Sequence, residues 1–117
     1  MRILVVEDEA ILAEVLSEMI EDLGHEVCAV VGTAAEALDL LGSSRPDALL
    51  VDVNLGRGGN GIAVASTAFE RHGVRSFIMS GAVDSALVGE TAAIRPFGFI
   101  AKPFEQAQLA QAIALAD

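Results

Sequence analysis

Five side chains capable of polar chemistry stand directly behind short apolar runs. Glu7 and Asp8 follow Ile3-Leu4-Val5-Val6, Asp52 follows Ala48-Leu49-Leu50-Val51, Ser80 follows Ser76-Phe77-Ile78-Met79, and Lys102 follows Gly98-Phe99-Ile100-Ala101. Carboxylates brought together repel one another, and at least one must rise in pKa unless a cation joins them. An all-oxygen donor set suits Mg²⁺, which accepts one or two carboxylates and keeps several waters or a phosphate oxygen. A lone Asp after a strand is ordinarily a helix cap or a solvated turn. Complementary groups behind four separate runs need another explanation.

The intervening segments say how those groups could meet. The four runs, with Val27 to Val31, read as strands, Ile3 to Val6 and Ala48 to Val51 as buried ones and Val27 to Val31 as an outer one. Ile11, Leu12, Val15, Leu16, Met19, Ile20 and Leu23 recur at helical spacing, and Gly24 ends that helix. Thr33 with Glu36 has the spacing of a capping box and opens a short helix through Leu41, closed by Gly42. Further helices are predicted from Ile62 to Arg71, from an Asp84 cap to Ala93, and from Phe104 to Ala116. Gly89 and Thr91 weaken the Asp84 helix. Five βα units imply an α/β sandwich, a (βα)5 three-layer fold around a five-stranded parallel sheet. Ligands of such sheets bind beyond the carboxyl ends of the strands, where Glu7, Asp8, Asp52, Ser80 and Lys102 all stand.

The chain has 117 residues, 53% hydrophobic and 21% charged, which fits one domain with a real core. Seventeen acidic against seven basic side chains give a net charge of −10, which argues against nucleic acid or an anionic membrane as a direct partner. The single cysteine, Cys28, excludes an internal disulfide and reads as an inert core thiol. The first apolar run is too short for a signal-peptide core or a membrane span, so a cytoplasmic location is expected.

The acidic pair after Ile3 to Val6, the aspartate ending Leu49-Leu50-Val51-Asp52, the hydroxyl in Ile78-Met79-Ser80-Gly81, and Gly98-Phe99-Ile100-Ala101-Lys102-Pro103-Phe104 together resemble response-regulator receiver domains of two-component signalling. The resemblance runs through the whole chain in the right order. It implies a flavodoxin-like sheet of order 2-1-3-4-5. It further implies that Asp52 accepts a phosphoryl group from a histidine kinase or histidine phosphotransfer protein in a Mg²⁺-dependent reaction. Asp8 would be a direct metal ligand, Glu7 a ligand through water, and Asn54 a ligand through its backbone carbonyl, with Asp52 completing the set. Ser80 and Lys102 would each meet a phosphoryl oxygen. Phe99 would turn inward as Ser80 moves, altering the face of helix 4, strand 5 and helix 5 toward a protein target.

Family members commonly carry Pro four residues after the acceptor and Gly at eight. Here Gly56 and Asn60 hold those places and Gly61 comes one later, so Gly56 to Gly61 reads as a one-residue insertion. No Lys-Ser or Lys-Thr follows it, and it is read as a flexible loop, not a phosphate cradle. Residues 1–117 are expected to form a receiver domain without an effector domain, either a stand-alone switch or a phosphoryl sink, and not an enzyme in its own right. Two rivals fit less well. A phosphohydrolase forming an aspartyl phosphate would want an acid where Asn54 stands. A flavin carrier would set Glu7, Asp8 and Glu9 against the flavin phosphate. His25 and His72 are read as helix-end residues near terminal carbonyls. Phe77 and Met79 are read as core; Val88, Ala92, Ala93, Ile94 and Phe97 as packing or a partner face.

Overall fold

The computed structural model describes residues 1–116; only Asp117 of the predicted domain lies outside them. Strands β1 (Arg2–Val6), β2 (Glu26–Val31), β3 (Ala48–Asp52), β4 (Arg75–Ser80) and β5 (Gly98–Ala101) alternate with helices α1 (Ala10–Asp22), α2 (Ala34–Ser44), α3 (Gly61–His72), α4 (Ser85–Thr91) and α5 (Gln106–Ala116). The strands form one sheet in the order β2-β1-β3-β4-β5, and every pairing is parallel. The expected three-layer (βα)5 sandwich is the observed one.

Strand side chains alternate between faces, and the core divides accordingly. Ile3, Val5, Leu50, Phe77, Met79 and Ile100 pack with Leu16 and Ile20 of α1 and Leu109 and Ile113 of α5. Leu4, Val6, Leu49, Val51 and Ile78 pack on the other face with Ala37 and Leu41 of α2, Val64 and Ala68 of α3, and Leu87 of α4. Residues 3–6 and 48–51 have no polar side chain because both faces of the sheet are covered.

Helix ends follow local chemistry, with corrections to the expected limits. The Thr33 hydroxyl oxygen accepts from Glu36 N–H at 3.2 Å, as the capping box requires. Asp84 caps α4, accepting from Leu87 N–H at 2.9 Å. Gly42 does not close α2: the helix runs on to Ser44 and ends at Arg45, which takes φ 45°. Arg2 supplies the stop, donating from its guanidinium to the carbonyls of Ser44 and Arg45. The Asp84 helix is shorter than expected, with a 3₁₀ turn over Ala92–Ile94 in place of its last turn. Helix α5 begins at Gln106, two residues after the expected Phe104. His25 closes α1 through its backbone N–H, which donates to the Ile20 carbonyl at 3.1 Å, while its Nδ1 pairs with the Met1 amine at 2.9 Å. Cys28 is half-buried on the outer strand β2.

The run Gly56 to Gly61, read as a flexible loop, is a hydrogen-bonded turn. Gly56–Gly58 forms a 3₁₀ turn, with Gly58 N–H donating to the Leu55 carbonyl at 2.9 Å and Leu55 N–H to the Gly59 carbonyl at 3.2 Å. Buried Leu55 anchors it in the α2–α3 side of the core. Asn54 and Asn60 form an antiparallel bridge at its base.

Candidate functional site

Alternation decides what meets at the carboxyl edge. Glu7 continues the parity of Ile3 and Val5, and Asp52 that of Ala48 and Leu50, toward the α1 and α5 layer. Lys102, just past β5, joins them there. Its ammonium donates to Asp52 Oδ2 and lies 3.5 Å from Glu7 Oε2. Glu7 and Asp52 are only 2% and 5% exposed, so this is a largely desolvated cluster of two acids and one base. Glu9 N–H donates to Glu7 Oε1 at 3.2 Å, and Asn54 N–H to Asp52 Oδ1 at 3.0 Å.

One ammonium does not neutralise two buried carboxylates. Burial, and then the neighbouring Asp52, push the Glu7 carboxyl up to about 7. Burial disfavours the Lys102 ammonium, but Asp52 and Glu7 outweigh it and raise its pKa. Asp8 is exposed beside them, and carboxylate oxygens of Glu7, Asp8 and Asp52 lie within 4.8 Å of one another. Three hard oxygen donors at that spacing can hold a divalent cation. Asn54 lines the cleft over this set. In the non-hydrogen-bonded pair Asn54–Asn60, the residue's N–H and C=O face away from the partner strand. Since the N–H reaches Asp52, the carbonyl is directed to the same side.

Ser80 is placed differently. It ends β4 with the parity of Ile78, and Phe99 packs against the α3–α4 side of the core. The Ser80 hydroxyl donates to the Ala82 carbonyl at 3.2 Å and accepts from Ala82 N–H at 3.1 Å. A cleft of about 250 Å³ over the cluster is lined by Asp8, Glu9, Asp52, Asn54, Gly56, Gly81 and Lys102, without Ser80. Thus Glu7, Asp8, Asp52, Asn54 and Lys102 form one group at the cleft, while Ser80 and Phe99 lie outside its lining.

Two glycines escaped the reading of the sequence. A Cβ on Gly61 would fall 1.9 Å from the Asp52 carbonyl oxygen, so α3 can start against β3 only without a side chain there. A Cβ on Gly58 would fall 2.8 Å from the Gly32 carbonyl oxygen. The late position of Gly61 relative to the common family pattern was the available signal.

The raised Glu7 carboxyl has a measurable consequence. A folded-state pKa above the unfolded value adds stability that is complete below about 4.5 and lost as pH rises through about 7. Without divalent cation, the melting temperature should therefore rise on acidification from about pH 8 to about pH 6. Glu7→Gln should flatten that slope in thermal melts. An unchanged slope would place the titration elsewhere.

The model of the response regulator receiver domain matches residues 3–114. The chain belongs to the receiver-domain family. Among curated receiver-containing proteins, the phyllosphere-induced regulator PhyR of Methylorubrum extorquens is 32% identical, over 97% of this chain and 42% of that protein. The transcriptional regulatory protein PdtaR of Mycobacterium tuberculosis is 30% identical, over 98% of this chain and 56% of that protein. The chain therefore spans about half the length of these relatives. Of the solved receivers, a LuxR-family two-component response regulator from Aurantimonas superposes with TM-score 0.87 at 30% identity, covering 98% of this chain and 84% of that one. The signal receiver domain of a modulated diguanylate cyclase from Desulfovibrio desulfuricans gives TM-score 0.85 at 28% identity, covering 97% and 90%. The receiver's order β2-β1-β3-β4-β5 is the flavodoxin-like one. No helix among the described residues is long and apolar enough to cross a membrane.

Proposed function

We propose that residues 1–117 act as a phosphoacceptor receiver unit in which Asp52 takes a phosphoryl group from a phosphohistidine of a kinase or phosphotransfer protein. The observation that carries this reading is the Asp52 carboxylate at the floor of the cleft, between Lys102 and the Glu7–Asp8 pair. An Asp52 oxygen forms the new P–O bond as the P–N bond breaks, and the electron pair returns to the imidazole nitrogen, which then takes up a proton. Asn54 N–H steadies the acceptor through Oδ1. Lys102 balances charge now held by Asp52 and afterwards pairs with a phosphoryl oxygen. Glu7, Asp8, Asp52 and the Asn54 carbonyl would hold Mg²⁺, which when bound offsets the negative charge of the transferred group. Acetyl phosphate with Mg²⁺ should add about 80 Da, labile in base as an acyl phosphate is. A base-stable adduct, or none, would overturn the reading.

The output we assign to this unit is protein binding through α4, β5 and α5, with phosphoryl-sink service as the second possibility. Helix α5 carries no charged side chain, and Val88 and Leu115 are 46% and 78% exposed on that face. Ile94, by contrast, is buried on the α2–α3 side of the core, and Phe97 packs on the opposite side, against Phe77. Breaking the Ser80–Ala82 bonds frees Ser80 to approach the phosphoryl group and opens space for Phe99, an exchange between two packings.

Lys102→Arg tests how the cleft and Phe99 are linked. It should keep the fold and Mg²⁺ binding while uncoupling phosphorylation from amide-shift changes at Phe99. A planar guanidinium cannot place a compact charge on one oxygen of a crowded site as an ammonium can. Labelling and shifts measured on one sample decide it; a fully switching variant would show that charge alone suffices.

A further inference from the structure

The inserted glycine turn bears directly on the acidic cleft. Gly56 lines that cleft, and a Cβ on it would lie 3.1 Å from Asp8 Oδ2. Its N–H donates to Asn54 Oδ1 at 2.9 Å, which ties the turn to the backbone that also serves Asp52. On its far side the turn is seated on the β2–α2 corner. A Cβ on Gly58 would meet the Gly32 carbonyl oxygen at 2.8 Å and Thr33 Cα at 3.1 Å. One on Gly59 would meet Ala34 Cβ at 3.1 Å. Buried Leu55 fixes the base of the turn. The turn therefore stands between the Asp8 carboxylate and the Gly32–Ala34 corner, with no room for a side chain at Gly58.

We infer that the Gly56–Gly59 turn is a positioning element that sets the size of the cation site by limiting how far the Asp8 carboxylate can move outward. Mg²⁺ needs oxygens at about 2.0–2.1 Å in near-octahedral order, whereas Ca²⁺ accepts about 2.3–2.6 Å and looser geometry. A wall behind Asp8 therefore favours the smaller ion. Gly58 is the fulcrum. It touches none of the carboxylates, yet any side chain there must lift the turn off Gly32 and release Gly56 from Asp8.

The inference rests on reading Glu7, Asp8 and Asp52 as a cation site, and the test separates the two. Mg²⁺ and Ca²⁺ are titrated separately against the parent chain, Gly58→Ala and Asn54→Ala, with calorimetry and the amide shifts of Asp8 and Gly56 as readouts. Asn54→Ala adds no bulk and keeps the backbone carbonyl, so it decides the matter if Gly58→Ala fails to fold. Gly58→Ala should lower Mg²⁺ affinity about tenfold and Ca²⁺ affinity about twofold or less, shifting selectivity toward Ca²⁺. Asn54→Ala should shift it in the same direction by about twofold or more. Equal weakening of both ions, no change, or a shift toward Mg²⁺ in the folded variants overturns the inference and leaves the cation site standing. If the parent chain binds neither ion, the cation site itself is wrong, and the turn's role falls with it.

Discussion

Asp52→Asn should abolish phosphoryl uptake: treated with acetyl phosphate and Mg²⁺, the variant should gain none of the about 80 Da expected of the parent. An amide oxygen is too weak a nucleophile to displace the donor, and no neighbour can stand in. The Glu7 side chain is fully buried, and Lys102 holds it at 3.5 Å. Asp8 is open to solvent, lacks Lys102 as a partner, and would be engaged by the cation. The loss should exceed about a hundredfold by intact-mass spectrometry, because a missing nucleophile is not recovered by binding alone. The fold should survive, since Lys102 keeps Glu7 at 3.5 Å and one carboxylate leaves a crowded cluster. Equal labelling of the variant would sink the assignment of Asp52; a new adduct on Asp8 would show that the carboxylates are interchangeable.

Gly61→Ala should be the most damaging single methyl in the chain. Its Cβ would lie 1.9 Å from the Asp52 carbonyl oxygen and 2.8 Å from the carbonyl carbon, distances that backbone cannot accommodate by rotamer changes. Helix α3 must move off β3, loosening Val64, Ala65 and Ala68 from a face where all three are buried. Overpacking of this kind costs about 3 kcal/mol or more. Gly89→Ala supplies the contrast, because nothing lies within 4 Å of a Cβ there. In α4 it should stabilise by up to about 1 kcal/mol through helix propensity. Urea unfolding of both variants measures the difference. Similar midpoints would mean that α3 does not need its close approach to β3.

These two predictions also mark how far the sequence could be read. Strands β1 and β3 were legible because a doubly covered sheet demands unbroken apolar runs, and Ile3–Val6 and Ala48–Val51 have no polar interruption. The gathering of Glu7, Asp8, Asp52 and Lys102 followed from parallel order alone, since parallel strands put all their carboxyl ends on one edge. Ser80 was grouped with them for the same reason, and its hydroxyl is held by Ala82, outside the lining of the cleft. Position along a strand was readable, but which partner a side chain takes at the strand's end required the turn that follows. Gly42 was misread because glycine often stops a helix, whereas here Arg2, forty residues earlier in the chain, supplies the stop. Gly61 was noticed only as out of step. Its need arises from the distance between α3 and β3, which no local pattern encodes.

Lys102 is the only lysine in the sequence, and its ammonium is held by two carboxylates. The one remaining amine, at Met1, is paired with His25. Toward acylating reagents, aldehydes and lysine-directed cross-linkers, which the free base attacks, Lys102 is thus the one side-chain amine. The chain's mass spectrum after such treatment becomes a gauge of one position: Lys102 acquires a label when its carboxylate partners are withdrawn, and stays silent while they hold it.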